Sequence, residues 1–130
     1  VIVCTPQKVA QDDAVRAAKM FEQLGVDVLG VVENLSVFVT PDGQEFDIFG
    51  RGGAQQMAQR LGLPFLGSIP VTMDLRTNSD GGDPSANFEG DAPPQRRLQR
   101  ALNELLDNLE SQLALASVRQ AKAAPSLTIR

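Results

Sequence analysis

The sequence contains no histidine, tryptophan or tyrosine, and its one cysteine is Cys4. Without histidine there is no Ser-His-Asp or Cys-His catalysis, no histidine metal site and no histidine pH switch. A lone cysteine forms neither an internal disulfide nor a Cys-x-x-Cys metal site. No apolar run reaches the roughly 18 residues that a membrane-spanning helix needs. A P-loop ends in Gly-Lys-Ser/Thr, so that a lysine and backbone N–H groups surround the phosphates. The lysines here are Lys8, Lys19 and Lys122, and none follows a glycine. Positive charge is also short. Twelve Lys and Arg against sixteen Asp and Glu give a net charge of −4, which argues against electrostatic binding to nucleic acid.

What is present fits one globular domain. The 130 residues are 42% hydrophobic and 22% charged, values that exclude wholesale disorder. The opening Val1-Ile2-Val3-Cys4 has neither the basic start nor the length of a signal peptide, so a cytoplasmic location is expected. An apolar strand with no lead-in reads as a chain cut from something larger.

Val1 to Cys4 is β-branched and apolar, suited to a buried strand. Thr5-Pro6 offers a helix start, and Ala10, Ala14, Ala17, Phe21 and Leu24 then form one helical stripe. Gly25 ends that helix and Val26 to Val32 follows as a strand. Strand, helix and strand with short links make a βαβ unit with parallel strands. Residues 37–48 break the rhythm. Two β-rich segments flank Thr40-Pro41-Asp42-Gly43-Gln44, which predicts a hairpin excursion, with Val37, Phe38, Phe46 and Ile48 packing beneath it or against a second subunit.

A helix carrying Ala54, Met57, Ala58 and Leu61 comes next, then Gly62 and a strand over Pro64 to Ile69. Leu24-Gly25 and Leu61-Gly62 thus use the same grammar twice, each ahead of a strand with a close-packed glycine. Met73 to Arg76 predicts a single helical turn and Asp80 to Pro84 a loop. Leu98, Leu102, Leu105, Leu109 and Leu113 lie on one face of a long helix that starts near Pro93-Pro94. The expected layout is an α/β domain over residues 1–113, part of a doubly wound and mainly parallel sheet, followed by a flexible tail over 114–130.

Few residues are candidates for chemistry. Gly50-Arg51-Gly52-Gly53 opens a helix and could offer N–H groups to an anion, although a plain turn accounts for it better. Asn34 stands just past the second strand's carboxyl end, where open α/β sheets bind ligands. Its amide, both donor and acceptor, can read a base edge or simply turn the chain. Glu33 reads as a structural or solvated carboxylate, Asp12-Asp13 as a solvated helix face, and Cys4 as an inert core thiol.

Taken together, several motifs resemble one family. Val3-Cys4-Thr5-Pro6-Gln7 with Val9-Ala10 and Asp13, Gly30 to Ser36, Asp47-Ile48-Phe49-Gly50 with Gly52-Gly53, and Leu63 to Pro70 are similar, in order and spacing, to segments of the Mrp/ApbC proteins. Those are P-loop ATPases of the MinD/ParA class that carry iron–sulfur clusters. The resemblance covers roughly residues 1 to 110 and implies the C-terminal part of such an ATPase, binding ATP with Mg in the intact protein. The lysine loop and switch aspartates would lie upstream of Val1. The resemblance assigns Asn34 to the adenine and Pro70 and Val71 to the other side of the base pocket. It further implies a homodimer and iron–sulfur client proteins.

The sequence departs from the family at the excursion. Where the cluster carriers have Cys-Pro-x-Cys, whose two copies hold a [4Fe–4S] cluster between subunits, this chain has Thr40-Pro41-Asp42-Gly43. The other readings are a MinD/ParA-like ATPase of different role and a non-enzymatic dimerisation or scaffold module.

Overall fold

The computed structural model describes residues 1–123. Along the chain run β1 (Ile2–Cys4), α1 (Lys8–Gln23), β2 (Val31–Glu33), β3 (Phe38–Val39), β4 (Glu45–Phe46), α2 (Gly53–Leu61), β5 (Phe65–Ser68), α3 (Met73–Asp80), a 3-10 turn (Pro84–Phe88) and α4 (Pro93–Ala123). β2 is the central strand of a three-stranded parallel sheet ordered β1-β2-β5, and β3 and β4 form a separate antiparallel hairpin. Parallel neighbours need long crossovers. α1 supplies the first, and the hairpin with α2 supplies the second.

Alternation along the strands divides the core in two. Ile2, Cys4 and Val31 pack with Ala14 and Ala18 of α1 and with Ala54, Met57 and Ala58 of α2. Val32, Leu66 and Ile69 turn the other way, onto Leu98 and Ala101 of α4. Helices therefore cover both sheet faces, the doubly wound arrangement expected. Leu98 is 1% exposed, and burying one such side chain contributes about 1.5–3 kcal/mol. β1 is an outer strand, and Val3 on its second face is 58% exposed. No helix among the described residues is long and apolar enough to cross a membrane.

The repeated glycine grammar has a structural basis. Gly25 and Gly62 both adopt left-handed conformations at helix ends, with φ of 68° and 67°. Gly30 permits close strand packing. A Cβ there would lie 2.6 Å from Leu66 Cγ and 2.8 Å from the Pro64 carbonyl oxygen.

Four expectations need correction. β2 starts at Val31, not Val26, because Val26 N–H bonds back to Phe21 O at 2.9 Å and the ladder opens only with Ile2 N–H on Gly30 O. The splayed segment borders a cavity of about 460 Å³ lined by Lys19, Asp27, Gly62 and Arg119 among others. α3 is eight residues long rather than one turn, because the Thr72 hydroxyl caps it by accepting from Leu75 N–H at 3.1 Å. Its far end meets the 3-10 turn through Asn78 Nδ2 on Asn87 Oδ1 at 3.0 Å. α4 does not end near residue 114 but continues to Ala123, and residues 124–130 of the expected tail lie outside the described residues. The leucine stripes also stop short of the core at one end each, with Leu24 67% and Leu113 49% exposed.

Candidate functional site

The sequence-predicted residues gather at the carboxyl end of the sheet. Asn34 N–H donates to Cys4 O at 2.8 Å, carrying the β1–β2 ladder one residue past β2. On the other side, Ile69 N–H donates to Glu33 O at 2.8 Å and Ser36 N–H to Ile69 O at 3.0 Å. The lacing continues as Val71 N–H on Val37 O at 2.7 Å and Val39 N–H on Val71 O at 3.0 Å. Residues 33–39 and 69–71 thus form one hydrogen-bonded ribbon that carries Asn34, Pro70 and Val71. Pro70 is fully buried, while Asn34 and Val71 are partly exposed.

Asn34 is held by its own turn. Its Oδ1 accepts from Leu35 N–H at 2.9 Å, and Leu35 takes the left-handed conformation with φ 54°. That conformation is costly for a side chain other than Gly, Asn or Asp. Asn34 Nδ2 has no hydrogen-bond partner among the described residues, which leaves a donor at the sheet edge. Next to Leu35, Ser36 Oγ is buried and makes no hydrogen bond among the described residues.

Glu33 is structural, one of the two readings the sequence allowed, and its partners are what the sequence did not show. It is 2% exposed. Its Oε2 accepts from Ala54 N–H at 3.0 Å and its Oε1 from Gly52 N–H at 3.4 Å. α2 starts from Gly52, which has φ 71° and no side chain to cap the helix. The carboxylate from β2 supplies the missing acceptor and meets the positive end of the helix dipole. The anion-binding capacity of Gly50-Arg51-Gly52-Gly53 is therefore filled from within, and Arg51 pairs with Asp47 at 2.9 Å. The glycine-rich segment is a turn, as the sequence favoured. The only signal for Glu33's role was a carboxylate closing an apolar strand ahead of an uncapped helix.

Cys4 lies opposite Glu33 in the β1–β2 register and is buried. Burial, and secondarily the Glu33 charge, push its thiol up from the ordinary range. A thiol in that state is a poor nucleophile and a poor ligand.

The apolar hairpin residues, expected beneath the hairpin or against a second subunit, divide between buried and exposed settings. Val37 and Val39 are buried, but Phe46 and Ile48 are 49% and 60% exposed. β3 is tied to the ribbon through the Phe38–Val71 bridge. β4 is tied to α4 by Arg97 Nε donating to Glu45 Oε1 at 2.7 Å.

A profile of ParA-type proteins, described as the NUBPL iron-transfer P-loop NTPase, matches residues 1–109. The chain belongs to this family. Iron-sulfur cluster carrier proteins of Synechocystis sp. and Deinococcus radiodurans are 38% and 41% identical to it, over 91% and 92% of this chain and 33% of each relative. The iron-sulfur cluster transfer protein NUBPL of Dictyostelium discoideum is 40% identical over 85% of this chain and 34% of its own length. Among solved structures, a nucleotide-binding protein from Archaeoglobus fulgidus in complex with ADP superposes with a TM-score of 0.57 at 35% identity, covering 67% of this chain and 36% of that one. The resemblance to Mrp/ApbC proteins and the α/β fold are borne out. The chain spans about a third of the length of the curated relatives it matches.

Proposed function

We propose that this chain is the base-recognising part of a NUBPL-type P-loop ATPase whose cycle, with Mg and ATP, serves iron–sulfur cluster carrying or assembly. The observation that carries the reading is Asn34. A partly exposed amide whose Nδ2 has no partner among the described residues stands past the carboxyl end of the central strand, on the ribbon that also bears Pro70 and Val71. An adenine edge offers the acceptor that this donor lacks. Hydrolysis belongs to the intact protein, because no lysine of this chain follows a glycine and the phosphates would find no lysine loop here. The acting unit is a homodimer in the cytoplasm, with Phe46 and Ile48 of the hairpin at or near the contact and iron–sulfur proteins as clients.

Titration of adenosine into the isotope-labelled chain, followed by amide chemical shifts, tests the base pocket. Shifts confined to Asn34–Ser36 and Ile69–Val71, lost in Asn34→Ala, support it. Shifts elsewhere, or none at millimolar adenosine, would sink it.

A further inference from the structure

Relatives named for carrying iron–sulfur clusters raise the question whether this chain can hold one. Such clusters are held by cysteine thiolates. The one thiol is Cys4, buried in β1 opposite Glu33 and poorly ionised. Among the described residues no three or more of His, Cys, Asp and Glu converge to hold a metal ion.

The hairpin goes further than lacking thiols. The stretch Thr40-Pro41-Asp42-Gly43 stands where the resembled motif has its cysteines, and its groups are committed elsewhere. Thr40 Oγ1 donates to Asp42 Oδ1 and accepts from Gln44 N–H at 3.0 Å. Asp42 Oδ2 accepts from Gln44 Nε2 at 2.8 Å, so both carboxylate oxygens are engaged. The backbone closes the same ring, with Gly43 N–H on Thr40 O at 2.9 Å and Thr40 N–H on Gln44 O at 3.0 Å. Gly43 has φ 87°, and a Cβ on it would lie 2.8 Å from Pro93 Cβ at the start of α4. Position 43 in this turn therefore has no room for any side chain. The Arg97–Glu45 pair holds the hairpin against that same end of α4.

We propose that this chain belongs to the family without ligating a cluster, its hairpin being a closed polar turn, locked onto α4, that takes no iron. Any cluster handled by the intact protein is held by other groups, and this part acts through its nucleotide edge and its apolar hairpin face. The inference is independent of whether Asn34 contacts a base.

The test is anaerobic incubation of the chain with ferrous iron and sulfide, then desalting, an iron and sulfide count and a visible spectrum. A parallel thermal melt is run with ferrous or zinc ion added, since a ligand of the native state raises Tm. The expected result is far less than about one iron per chain, no charge-transfer band and no metal-induced rise in Tm. Gly43→Cys and Gly43→Ala should each lower Tm by about 3 °C or more, because the left-handed conformation resists any side chain. Stoichiometric iron with a visible band overturns the proposal, and so does a metal-induced rise in Tm that Asp42→Asn abolishes. A Gly43→Cys chain as stable as the wild type overturns the claim that the turn is locked.

Discussion

Glu33 Oε2 accepts a hydrogen bond from the backbone N–H of Ala54 at 3.0 Å, across 21 residues of chain. This contact, with the Gly52 N–H on Glu33 Oε1 at 3.4 Å, joins the central strand to the start of α2 inside the core. Glu33→Ala would leave Gly52 and Ala54 N–H without their acceptor. The expected loss is about 2–4 kcal/mol of unfolding free energy, measured by urea titration. Glu33→Gln keeps one acceptor and should lose about 1 kcal/mol. Equal losses for the two variants would show that shape, and not the accepted hydrogen bonds, matters there.

Ser36 should respond in the opposite direction. Its buried hydroxyl makes no hydrogen bond among the described residues. Ser36→Ala removes a desolvated polar group without opening a large void, so stability should be unchanged or rise by up to about 1 kcal/mol. A clear loss on chemical denaturation would mean that the hydroxyl is satisfied in solution.

Gly30 allows β2 to approach the start of β5. Gly30→Ala places a methyl group 2.6 Å from Leu66 Cγ and against the Pro64 carbonyl. Overpacking of this kind costs about 1–3 kcal/mol. Leu66→Ala in the same chain should recover part of that cost, because it removes one of the two clashing partners. Strict additivity of the two losses would refute the contact.

The Cys4 thiol is raised by burial and then by Glu33, so the folded state favours the protonated form. Its contribution to stability is complete below the ordinary thiol pKa of about 8.5 and is lost as pH rises through the folded value. Unfolding free energy should therefore fall with pH above about 8.5, and Cys4→Ala should flatten that slope. Native alkylation by iodoacetamide should be slow and should become fast in denaturant. Fast labelling of the native protein would contradict the buried placement.

Much of the fold was legible because it rests on local patterns. The α1 stripe, the Gly25 and Gly62 caps and the Asp42-Gly43 turn each depend on residues within a few positions of one another. What escaped depends on distant partners. β2 shortens because the pairing of residues 26–29 is decided by neighbours in other elements, not by their own β propensity. The far end of α3 docks on the 3-10 turn because Asn78 finds Asn87, and the sheet's other outer strand is braced by Asn108 Nδ2 on Leu66 O at 2.9 Å. At the site, Asn34's place at a strand end could be read from the sequence, while the capping role of Glu33 could not, since its partner N–H groups belong to a helix nineteen or more residues away.

β1 lies at the margin of the sheet with Val3 turned outward, beside a shallow apolar furrow that includes Ala10, Ala17 and Phe21. Proteins that leave such a margin bare usually guard it with a lysine, an inward charge or a bulge. Ile2-Val3-Cys4 has none of these. The solution behaviour of the chain at high concentration should thus be governed by this border of three residues. Chains that meet there can extend one another's sheets, so turbidity and fibre seeding should begin at β1, and a Val3→Lys change should suppress them.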